Sequence, residues 1–88
     1  MIEPSELRAE VMRIAKEMKV EAKEVQIRPM KTKWASCSVN GRLTFDSALL
    51  SQPKRFRKEV IVHELLHLSI PTHGKMFNLM RDSYMKGK

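Results

Sequence analysis

Val60-Ile61-Val62-His63-Glu64-Leu65-Leu66-His67-Leu68-Ser69-Ile70 is apolar on nearly every side except for two histidines, one glutamate and one serine. A helix that is hydrophobic all round is a buried helix, and polar groups inside it cost free energy unless something satisfies them. His63 and His67 are four residues apart, so at 3.6 residues per turn both rings leave the same face one turn apart and reach a common point. Glu64 lies about 100° round from His63, where its carboxylate can miss an ion held by the imidazoles and reach a water on that ion. This H-E-x-x-H spacing is that of two zinc ligands and a general base.

Six residues after His67 comes His73, beyond Pro71, which cannot continue the helix and turns the chain back. A third protein ligand there would leave one tetrahedral position of zinc open to water, which separates a catalytic zinc from a closed structural one. The candidate metal ligands are therefore His63, His67 and His73 around one zinc, and Glu64 is the candidate catalytic base.

Eighty-eight residues predict a single domain over 1–88 with one small core. With Cys37 alone no internal disulfide can form, so a metal is the available staple, and a reducing, cytoplasmic setting is expected. No run reaches the roughly 18 to 20 apolar residues of a membrane span, and the first twenty residues lack a signal-peptide core. Seventeen basic against ten acidic residues give a net charge of +7. That charge would attract nucleic acid, and it equally suits solvated, lysine-rich faces.

Outward from the central stretch the periodicities predict an α+β fold. Leu7, Val11, Ile14, Ala15 and Met18 repeat at helical spacing, with Glu3 or Ser5 as cap and Pro4 in the first turn. Val25 to Met30 alternates as a strand, which Pro29 restricts to an edge or a strand end. Trp34 to Ser38 and Arg42 to Asp46 flank Asn40-Gly41, a turn dipeptide, and predict an antiparallel hairpin or a three-stranded sheet. Ala48 to Leu50 reads as a helical turn. The central helix is expected to start at Ser51 or Gln52, with Pro53 in its first turn, and to run to about Ser69. Its basic start, Lys54-Arg55-Phe56-Arg57-Lys58, reads as a solvated face. A last helix capped by Thr72 carries Met76, Phe77, Met80 and Tyr84.

Taken together, these residues resemble the YgjP-like metallopeptidases, a branch of the gluzincin-like zinc proteins related to the SprT-like and WLM domains. That family shows W-G-S-C-S, then a hydrophobic strand, then V-x-H-E-L-x-H-L, a proline, a third histidine and a phenylalanine. The matches are Trp34, Ser36, Cys37 and Ser38, then Val62, His63, Glu64, Leu65, His67 and Leu68, then Pro71, His73 and Phe77. Ala35 replaces the family's usual glycine and Asn78 its frequent tryptophan. The resemblance spans Lys33 to about Met80 and implies a minimal zincin-like catalytic core without the family's longer N-terminal region. The spacing from His63 to His73 also fits H-E-x-x-H-x-x-G-x-x-H. Ile70 stands at its glycine, and no methionine-containing turn is evident after His73, so that assignment ranks second.

The resulting expectation is a zinc metallopeptidase acting on peptide or protein substrates. The alternatives are a zinc-stabilised binding module and a DNA-associated protease or adaptor. Arg81 and Tyr84 are candidate oxyanion stabilisers, Asp46 and Asp82 candidate acceptors for the ligand histidines, and Arg42 to Asp46 the candidate edge for substrate strand addition. For both aspartates, capping or surface roles are the competing reading. Trp34 and Cys37 read as packing residues, and the seven methionines as fillers of core gaps.

Overall fold

The computed structural model describes residues 1–38, 40–69 and 75–86, within which the patterns become three α-helices and a three-stranded sheet. Helix α1 (Pro4–Met18) buries the expected stripe of Leu7, Val11, Ile14, Ala15 and Met18. Pro4 occupies its first turn, the Glu3 N–H donates to Glu6 Oε1 at 3.2 Å, and Lys19 ends the helix in the left-handed region at φ 58°.

The sheet comprises β1 (Glu24–Arg28), β2 (Ala35–Cys37) and β3 (Arg42–Asp46) in the order β1-β3-β2. β2 and β3 form the expected antiparallel hairpin, closed by Gly41 at φ 88°. β1 ends before Pro29 and is an edge strand, as that proline requires. It pairs with the far side of β3 in parallel, however. This corrects the candidate substrate strand: Arg42–Asp46 is hydrogen-bonded on both sides, and β2 is the edge beside the central helix. The cause is the segment between Arg28 and Ala35, which carries the chain over the end of β3. Asp46 pins it from both ends, its Oδ1 accepting from Met30 N at 3.3 Å and its own N–H donating to Trp34 O at 2.8 Å.

In this register Val25, Ile27, Leu43, Phe45, Ala35 and Cys37 share one face, and Leu43 and Phe45 are fully buried. Helix α1 packs over β1 on that face. Helix α2 (Lys54–Ser69), the central one, packs over β2 and against α1. Ile61, Val62, Leu65 and Leu66 of α2 have no exposed surface, and α3 (Lys75–Lys86) covers its other side. Helix α2 begins two to three residues later than expected, because Ser51 closes a 3₁₀ helix (Ser47–Ser51) and the Pro53 carbonyl accepts from Arg57 N at 3.0 Å.

The basic start of α2 is not uniformly solvated. Arg57 is only 8% exposed. Its Nε and Nη2 each donate to one Glu10 carboxylate oxygen at 2.9 Å, and Nη1 donates to Gln52 O at 2.8 Å. A planar guanidinium matches a carboxylate in this fork, which a lysine could not reproduce. The pair locks α1 to the start of α2 and so sets where the histidines further along α2 point.

Replacing Glu10 with alanine would strand a buried cation. The expected loss is about 3–5 kcal/mol in urea unfolding. The exposed Arg13–Glu17 pair at 3.4 Å serves as control, with Glu17→Ala expected to cost less than about 1 kcal/mol.

Candidate metal centre and substrate cleft

His63 and His67 leave α2 on one face, one turn apart, with ring centroids 4.9 Å apart and planes at 77°. Their Nε2 atoms are 3.3 Å from each other. Two imidazoles on one tetrahedral zinc, each at about 2.0–2.1 Å, have their nitrogens about 3.3–3.4 Å apart. The separation therefore matches that of two imidazoles on one such ion. Glu64 completes a half-buried trio whose ligand atoms lie within 4.8 Å of one another. His73 lies outside the described residues.

The trio opens onto two cavities on either side of Glu64. One, of about 360 Å³, lies towards His67 and is lined by Ala35, Ser36, Cys37 and Ser38 of the β2 segment. The other, of about 340 Å³, lies towards His63 and is lined by Trp34, Phe56, Val60 and Arg81 among others. Together they make a cleft with α2 as one wall and the edge strand β2 as the other.

The remaining candidates divide clearly. Arg81 does line the cleft, whereas Asp82 is exposed on α3. Asp46 is committed to capping: besides Met30, its carboxylate accepts from Ala48 N at 3.2 Å. Cys37 is half-buried, its Sγ 3.4 Å from Ser38 O. Burial pushes its thiol pKa up, and the neighbouring Glu64 charge pushes it further, so it is a protonated wall residue. Sequence reasoning missed Trp34 and Phe56 as cleft residues. Their rings meet edge to face at 5.1 Å, and Trp34 stays 38% exposed, a position that only the strand pairing reveals.

The YgjP-like metallopeptidase domain matches residues 3–87. The chain belongs to the YgjP-like metallopeptidase family. That match takes in α1 and β1, well beyond the Lys33–Met80 segment on which the resemblance rested. Solved structures agree. The metallopeptidase zymogen jannalysin of Methanocaldococcus jannaschii is similar with a TM-score of 0.78 and 28% identity, over 92% of this chain and 84% of that one. The metallopeptidase zymogen abylysin of Pyrococcus abyssi is similar with a TM-score of 0.76 and 25% identity, over 86% of this chain and 76% of that one. No curated relative matches. Among the described residues no helix is long and apolar enough to cross a membrane.

The environment of Cys37 can be read chemically in the metal-free protein. Alkylation by iodoacetamide should be slow at pH 8 and should accelerate only at more alkaline pH than for free cysteine, because the thiolate is the nucleophile. Glu64→Gln removes the raising charge and should move that pH profile downwards while leaving the burial effect.

Proposed function

We propose that this YgjP-like chain is a zinc-dependent peptidase in which His63, His67 and His73 hold the metal and Glu64 is the general base. The observation that carries the reading is the 3.3 Å approach of the two Nε2 atoms beside a half-buried carboxylate on the helix that buries Ile61, Val62, Leu65 and Leu66 in the core. His73 joins the set by its sequence spacing. When bound, zinc supplies a water acidified to a pKa of about 7 and a Lewis acid for the scissile carbonyl.

The chain's own residues supply the rest. Glu64 would take the proton from the attacking water and deliver it to the leaving amine, two transfers that one carboxylate performs from the attacked side of the reacting carbonyl, within reach of both the water and the leaving nitrogen. Glu64 lines both cavities, which supports placing it beside a peptide lying along the cleft. The substrate backbone would add to the outer edge of β2, which among the described residues pairs with β3 on its other side. The strand would align the peptide along α2 and carry its scissile bond past Glu64. The acid and base roles fall to the same residue, so activity should depend on its ionised form and decline in acid.

The test is zinc content by mass spectrometry together with casein cleavage. Wild type should hold one zinc and cleave. Glu64→Gln should keep zinc and lose about 10²- to 10⁴-fold in rate, and His63→Ala, His67→Ala and His73→Ala should each lose zinc. Cleavage by Glu64→Gln at the wild-type rate sinks the mechanism, and full zinc retention by His73→Ala removes His73 from the ligand set.

A further inference from the structure

We propose that the basic turn from Arg28 to Trp34 is a docking site for single-stranded nucleic acid, where the indole of Trp34 stacks on one base and Arg28, Lys31 and Lys33 hold the phosphates around it. The proposal does not rest on the peptidase reading. Besides the cleft, Trp34 lines a second hollow of about 280 Å³, whose other walls are Met30, Lys31, Thr32, Lys33 and Asp46 and which takes in no residue of α2. The indole therefore stands between the cleft and a basic recess that the cleavage chemistry does not use.

The net charge of +7 is not spread evenly. On α1 the cations Arg8, Arg13 and Lys16 are matched by Glu6, Glu10 and Glu17. From Val25 to Phe45, by contrast, the chain carries Arg28, Lys31, Lys33 and Arg42 and no acidic residue. Arg42 is engaged by Glu24 at 3.2 Å, whereas Arg28, Lys31 and Lys33 stand exposed. The carboxylate on the recess is Asp46, beside Arg28 in the sheet register. Its Oδ1 already accepts from the N–H groups of Met30 and Ala48. Counted in full, Asp46 still leaves the three cations in excess, and phosphates are drawn to them.

Exposed lysines need no partner, but an exposed indole gains from one. Trp34 keeps 38% of its surface exposed, and its edge-to-face contact with Phe56, at 5.1 Å and 76°, covers at most one face of the ring. A flat face among cations is the arrangement on which unpaired bases stack, whatever their sequence, because every base has a π face. A duplex hides those faces, so the turn selects single strands. An acidic peptide would pair with the lysines and leave the indole in water. A membrane surface would need further apolar anchors beside Trp34, and the other large exposed apolar residues, Met1, Met12 and Leu79, lie at the N-terminus, on α1 and on α3.

Trp34 is the sole tryptophan, so the emission of the full chain reports the site directly. Titration with a short oligothymidylate at low salt should quench it, and the affinity should fall about tenfold or more between roughly 50 and 200 mM salt. In anisotropy measurements with the labelled oligonucleotide, Lys31→Glu combined with Lys33→Glu should weaken binding about tenfold or more, and Trp34→Ala at least about fivefold. Arg13→Glu combined with Lys16→Glu makes the same change in net charge on α1 and should cost less than about threefold. Circular dichroism checks the folding of each variant. Should Trp34→Ala not fold, quenching of wild type and the two charge reversals decide. Absence of quenching, equal losses from the two reversals, or a duplex bound as tightly as the single strand overturns the proposal. A blue shift on phosphatidylserine vesicles in place of quenching by the oligonucleotide assigns the turn to a membrane surface and overturns it as well.

Discussion

Burial of α2 between α1, β2 and α3 is the constraint on which the rest depends. Ile61, Val62, Leu65 and Leu66 lose all contact with solvent, at roughly 1.5–3 kcal/mol for each side chain removed from water. A helix fixed on that many sides cannot rotate. His63, Glu64 and His67 are interleaved with those residues, so the packing that stabilises the fold also holds the two imidazoles at zinc-ligand separation. Site and core are one set of contacts.

The Glu10–Arg57 fork adds what apolar packing lacks, which is direction. Hydrophobic contacts between two helices tolerate sliding, whereas a bidentate pair with both oxygens at 2.9 Å admits one register. Hydrogen bonding to Glu10 holds the guanidinium firmly charged despite its burial. Arg57 lies close to two turns before His63, near enough for a shift there to reach the cleft. Asp46 does comparable work for the opposite wall. By holding both ends of the segment that crosses β3, it places Trp34 where β2 begins and so aligns that edge with α2.

What was legible in the sequence is what depends on local periodicity. The stripe of α1, the buried character of α2, the hairpin at Asn40-Gly41 and the His63-Glu64-His67 face all follow from spacings of two, three or four residues. What was not legible depends on partners far away in the chain. Nothing in Val25–Arg28 says that it pairs in parallel beyond β3, so the central strand was mistaken for an edge. Nothing in Lys54–Lys58 distinguishes Arg57 from its solvated neighbours, because its partner is 47 residues away. Trp34 looked like a core residue for the same reason: its exposure follows from β2 being the edge, a property of the sheet and not of the segment.

The small size gives these placements their functional weight. Among the described residues the core is a single cluster of side chains from α1, the inward face of the three-stranded sheet, Leu49 and α2, which in a chain this short leaves little stability in reserve. A cation binding only the folded arrangement of His63 and His67 adds its binding free energy to that of folding. The same ion that would activate water would therefore also brace the second half of α2, where His63 and His67 stand. In a domain of this size a metal centre built on the central helix need not be an addition to a finished scaffold. The geometry that would make such an ion useful in chemistry, two imidazoles converging from a packed helix, is also the geometry through which it would stabilise the chain.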